Sequence, residues 1–122
     1  MINEEIVSMG NIIVEKSFEF SVNVVFFCQK LIKSKEYIIS RQLFKSATAI
    51  GANVEEAIAA YSRKDFINKL SIAHKEARES KYWIKLLFRT NYMTKDEYVV
   101  FISDCESLIK ILYAIIRTSR KN

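Results

Sequence analysis

Glu55, Glu56, Glu76 and Glu79 sit within one stretch of the chain, with His74 beside the last pair. Paired carboxylates serve general acid–base catalysis, and carboxylate–histidine sets bind metals. In a helical chain they would suggest a di-iron centre, which needs Glu-x-x-His motifs on two facing helices. This chain has one histidine and no such motif. It has no glycine-rich phosphate loop and no zinc-ligand spacing. Without a second histidine or a cysteine near His74 there is no nucleophile–base pair. The expectation is a protein that is not an enzyme, with no catalytic residue, metal ligand or cofactor. An enzyme using Glu56, Glu76 and Glu79 would instead need a concave polar site and a carboxylate of raised pKa.

A second set of residues suits recognition. Lys75, Arg78, Tyr82, Lys85 and Arg89 repeat at steps of three and four, one face of a helix. Over that span the row is about 21 Å long at 1.5 Å per residue. Arginine and lysine in such a row can meet successive phosphates, and a tyrosine among them can stack on an unpaired base. The alternative is an ordinary solvated face, with Glu79 interrupting nearby.

The charge distribution points to the same segment. The chain of 122 residues carries a net charge of +5. Residues 63–92 hold eight basic and three acidic groups, while the other segments nearly balance. Any electrostatic function therefore belongs mainly to that segment. The start, "MINEEIVSMGNII", has glutamates where a secretory leader carries lysine or arginine. "FSVNVVFFCQ" is too short to span a bilayer, so no membrane partner is expected. Cys28 and Cys105 fit buried free thiols in a reducing cytoplasm.

These residues need elements to hold them. With no proline and two glycines, the chain lacks the turn punctuation of a β fold. Phe20, Val24, Phe27 and Leu31 predict a first helix over 12–34, with residues 1–10 as an unstructured lead-in. Phe18, Val22, Val25, Phe26 and Ile32 give it more apolar surface than one core stripe needs. Ile39, Leu43, Ile50, Val54 and Ala57 predict a second helix over 38–61. The seam Phe66, Leu70, Ala73, Ala77, Ser80, Ile84 and Leu87 predicts a third over 63–90. "SRKD" resembles a capping box before it, and "TKDE" is a capping box before the fourth. That fourth helix would bury Tyr98, Phe101, Ile102, Cys105, Leu108, Ile109, Leu112 and Ile116. The fold class is all-α: one domain over 1–122, an antiparallel up-down-up-down four-helix bundle.

The second helix is small or apolar nearly all round. Gly51 in a helix interior costs about 1 kcal/mol relative to alanine, so it is read as a point of close approach by a neighbouring helix. Such a helix is usually covered on several sides, more than one bundle supplies. Asn53 and Glu56 lie on its other flank, and Glu76, Glu79 and Trp83 lie beside the seam of the third helix. Two readings stand: a polar layer of Asn53, Glu56, Glu76 and Glu79 at a helix or subunit junction, with Asn53, the Trp83 indole, and Arg78 or a lysine as candidate donors to Glu56, or solvated rim charges.

"RQLFKSATAIGANVEEA" followed by "SRKDFINKLSIAHKEARESKYWIKLL" resembles the signature of the four-helix-bundle proteins named for intervening sequences in bacterial 23S ribosomal RNA genes. The family's Ser-Ala/Gly-x-Ser-Ile falls on Ser46 to Ile50, its Asn-Ile-x-Glu on Asn53 to Glu56, and its Phe-x-x-x-Leu-x-Ile-Ala on Phe66 to Ala73. Its glutamate before tryptophan falls on Glu79 and Trp83. Ala49, Val54 and Ala57 depart mildly from the pattern. A looser likeness is to the basic accessory protein of diversity-generating retroelements. The resemblance implies a homopentameric ring around a central channel; it leaves the biochemical role open. The leading reading is a cytoplasmic, self-associating module that binds RNA or DNA, or a protein that handles them, through the third helix. The rival is a purely structural protein-interaction oligomer.

Overall fold

Apolar residues spaced for one face of a helix recur four times, and each run forms a helix. The computed structural model describes residues 4–121 as α1 (Glu4–Lys33), α2 (Ile38–Ile58), α3 (Arg63–Arg89) and α4 (Lys95–Lys121). No strand occurs among the described residues. The fold is an all-α four-helix bundle. Its core is lined by Phe20, Val24, Phe27 and Leu31 of α1, by Leu43, Ile50, Val54 and Ala57 of α2, and by the whole expected seam of α3. From α4 it takes Phe101, Cys105, Leu108, Leu112, Ile115 and Ile116.

Two expectations need correction. The lead-in is helical from Glu4 onward, with residues 1–3 outside the described part. Ile6, Gly10 and Ile13 extend the buried stripe of α1 at steps of four and three, so burial drives that turn into helix. Ile39, Tyr98, Ile102 and Ile109 are half-buried at the edges of the core, while Ile115 and Ser119 lie inside it.

Each helix packs against its chain neighbours, and α1 closes on α4; among the described residues the backbones of the diagonal pairs, α1 with α3 and α2 with α4, do not approach within 8 Å between Cα atoms. The contacts run in opposite order along each pair. On α1 and α2, Ser21 Oγ donates to the Ala47 carbonyl at 3.4 Å and Cys28 Sγ to that of Ser40 at 3.5 Å. On α2 and α3, the buried hydroxyls of Ser46 and Ser80 meet at 2.8 Å, and Glu56 pairs with Lys69 at 2.8 Å. On α3 and α4, Phe88 stacks on Tyr98, Lys81 pairs with Glu106 and His74 lies beside Tyr113. On α1 and α4, Phe27 meets Phe101 edge-on and Lys30 pairs with Glu97.

The connections end helices by geometry where glycine is absent. Lys35 adopts φ 63° and Asn91 φ 68°. Behind each, two backbone bonds close the helix end: Glu36 N–H to Leu31 O and Lys35 N–H to Ile32 O, then Tyr92 N–H to Leu87 O and Asn91 N–H to Phe88 O. α3 opens on Ser62, whose Oγ accepts the Asp65 N–H at 3.1 Å. Thr94 and Glu97 complete a reciprocal box at α4, with Glu97 N–H donating to Thr94 Oγ1 at 3.1 Å and Thr94 N–H to Glu97 Oε1 at 2.9 Å. α2 starts differently: the buried carboxylate of Glu36 accepts the N–H groups of Ile38 and Ser40.

Candidate nucleic-acid interface

α3 turns its seam from Phe66 to Leu87 inward, which places Lys75, Arg78, Tyr82, Lys85 and Arg89 on its exposed side. Among the described residues none of these four cations takes part in an ion pair. The Tyr82 ring, 59% exposed, packs edge-on against Trp83 with centroids 4.9 Å apart. Trp83 Nε1 donates to Glu79 Oε2 at 3.3 Å, one turn back on the same helix. The acidic residue inside the basic row is thereby turned to the indole.

The row lies on the side of α3 that borders α4. Lys81, between Arg78 and Lys85, reaches Glu106 at 3.1 Å, and the His74 ring lies 6.3 Å from that of Tyr113. Burial and the neighbouring Arg78 charge both hold the His74 pKa below its ordinary 6.5. The same border brings in Arg117, Arg120 and Lys121 of α4. Sequence reasoning missed these residues because the last segment is nearly neutral in sum. Its acids Asp96, Glu97, Asp104 and Glu106 lie in the first half of α4, with Lys95 as the one base there, and the bases Lys110, Arg117, Arg120 and Lys121 fill the second. The spacing Lys110, Tyr113, Arg117, Arg120, at steps of three and four, was the available signal.

The other singled-out residues separate into local pairs. Gly51 faces α1, where a Cβ would lie 3.4 Å from Ser21 Oγ and 3.6 Å from the Ser17 carbonyl oxygen. Those are ordinary contacts, so α1 leaves room for a methyl group. Asn53 Nδ2 donates to Ala49 O of its own helix at 2.8 Å. Glu56 is taken by Lys69, Glu79 by Trp83, and Glu76 stands half-buried. No hydrogen bond joins Asn53, Glu56, Glu76 and Glu79 to one another among the described residues, so the polar layer is not assembled within one chain. Glu56 and Glu79 each have a donor of their own, Lys69 and the Trp83 indole, and like-charged carboxylates do not favour close approach to one another.

Both thiols are buried and free. Cys105 donates to the Ala77 carbonyl at 3.2 Å, and burial pushes its pKa up to about 12. Burial likewise raises that of Cys28. No group of three or more metal-ligating side chains occurs among the described residues, and no described helix is long and apolar enough to cross a membrane.

These features define a small helical bundle with a basic outer face bordered by aromatic rings. The family model of the 23S rRNA-intervening sequence proteins matches residues 10–114, and the chain belongs to that family. It is also similar to a crystal structure of a protein with unknown function from the S23 ribosomal protein family of Bacteroides thetaiotaomicron. The two are 44% identical with a TM-score of 0.87, over 89% of this chain and 98% of the other. Among curated proteins none matches the chain.

Proposed function

We propose that this protein is a non-catalytic, cytoplasmic, self-associating module that binds RNA, or a nucleoprotein, through the outer face of α3. The carrying observation is the exposed row Lys75, Arg78, Lys85 and Arg89, free of ion pairs among the described residues, with Tyr82 among them. An unpaired cation row holds condensable charge for a phosphate backbone, and binding there releases counterions. The test is binding of a labelled structured RNA at low and physiological salt. Binding should weaken as salt rises, and changing the four cations to glutamine should flatten the log–log salt slope by roughly three. Salt-independent binding, or none at low salt, refutes this reading.

The opposite order of contacts at all four junctions supports an antiparallel up-down-up-down course. A second reading, a structural oligomer, has its own support on the other side of the bundle. Phe18 and Phe26 of α1 are 63% and 65% exposed, and Ile38 at the start of α2 is 78% exposed. Val7, Ile32, Phe44 and Ile58 add to this apolar surface. Apolar surface of this kind marks association. A homo-oligomeric ring, pentameric by family resemblance, would cover it and leave α3 outward, so the two readings combine. Sedimentation of the intact protein against Phe18→Glu tests the assembly: a drop in mass supports it, and a monomeric wild type refutes it.

A further inference from the structure

The α3–α4 border ends in a cleft of about 460 Å³, within the size range of small-ligand sites. Its walls are Ser71 and His74 from α3 and Tyr113, Arg117, Arg120 and Lys121 from α4, with Ile116 as an apolar floor. Tyr113 is 57% exposed, and its ring is tilted 43° to that of His74, so the two rings do not cover each other. Arg117, Arg120 and Lys121 are exposed and form no ion pair among the described residues. An adjoining cleft of about 510 Å³ shares Ser71 and Arg120 and adds Lys64, Asn68 and Asp65.

We infer that this cleft holds one unpaired nucleotide, its base against Tyr113 and His74 and its phosphate on Arg117 and Arg120. The inference rests on the nucleic-acid reading above and deepens it, by adding a single-strand subsite beyond the α3 row. An exposed tyrosine beside an apolar floor supplies a stacking surface that any base can use. The arginines supply planar donors that match phosphate oxygens. Ser71 and His74 offer polar atoms to a base edge, and a neutral imidazole can both donate and accept. Arg78 on α3 and the cations Arg117, Arg120 and Lys121 of α4 are the charges around that ring; Asp65 is the acid of the adjoining cleft. The adjoining cleft, with Lys64 and Asn68, continues the path for the next phosphate.

His74 is the chain's one histidine, so its imidazole Cε1–H gives a single, unambiguous resonance in the intact protein. The test titrates adenosine 5′-monophosphate against that resonance, with inorganic phosphate and adenosine as separate probes. The expected result is a shift of the His74 signal by the nucleotide, larger than by either probe, and abolished by Arg117→Gln with Arg120→Gln. In parallel, Tyr113→Leu should weaken binding of a short single-stranded RNA at least about five-fold, the lower end for losing one stacked base, and leave a blunt RNA duplex unchanged. A His74 signal that stays still, or that moves equally with phosphate alone, overturns the inference whatever the RNA does. A nucleotide-dependent shift without binding of longer RNA keeps the cleft and refutes the α3 row as a nucleic-acid surface.

Discussion

Glu36 Oε1 accepts the backbone N–H of Ser40 at 2.7 Å, while its other oxygen accepts that of Ile38 at 3.1 Å. Glu36 is 7% exposed, and the residue at the helix boundary, Tyr37, makes no side-chain cap. One buried carboxylate thus serves the start of α2, where a negative charge also meets the positive end of the helix dipole. Glu36→Ala orphans both donors and should cost about 1–3 kcal/mol, read by urea unfolding. A loss below about 0.5 kcal/mol would mean that water replaces the carboxylate.

Glu97 closes the capping box of α4 with Thr94 and takes Lys30 of α1 at 2.7 Å. Burial raises its pKa, but the bonds from Lys30 and Thr94 outweigh this and hold it below 4.5. A depressed carboxylate contributes stability that is complete above its unfolded value and fades as pH falls through the folded one. Wild type should therefore exceed Glu97→Gln by about 1 kcal/mol at neutral pH. The gap should begin to narrow as pH falls below 4.5 and should close on further acidification, once pH passes below the depressed folded-state pKa. Paired melts across that range check the sign.

Cys105 and Cys28 should resist thiol reagents in the folded protein, because the thiolate is the reactive form and burial disfavours it. The rate of labelling near pH 8 should follow unfolding, and both thiols should label in urea. Fast modification of the native protein would show local opening, of α4 where Cys105 labels and of α1 where Cys28 labels.

Gly51→Ala should stabilise the isolated bundle by up to about 1 kcal/mol, because alanine is the better helix former. The nearest atoms, Ser21 Oγ and the Ser17 carbonyl, stand at ordinary contact distance. Gly51→Leu cannot fit that space and should force α1 and α2 apart. Melting temperature and sedimentation together separate the two effects: a melting gain with loss of assembly would place Gly51 against a second copy.

Much of this molecule was legible in the residues themselves. The α3 seam from Phe66 to Leu87 is buried as its spacing required, and both capping residues, Ser62 and Thr94, begin their helices. Helical periodicity is a local property, fixed by 3.6 residues per turn, so a linear reading recovers it. The exposed side of α3 follows by the same arithmetic, since it is what the seam leaves outside. The early start of α1 was not read, because "EEIVSMG" carries only a sparse stripe whose burial depends on the rest of the bundle.

The sequence by itself determined four amphipathic helices, their core faces and the excess charge on α3. Only the tertiary structure decided which flanks meet. It set His74 beside Tyr113, joined Lys30 to Glu97, and brought the basic end of α4 to the border of α3. It also gave Glu56 to Lys69 rather than to a layer with Glu76 and Glu79. These pairings join residues far apart in the chain. Their partners are chosen by how four helices rotate and slide to fill one core, a choice that no single helix's periodicity contains.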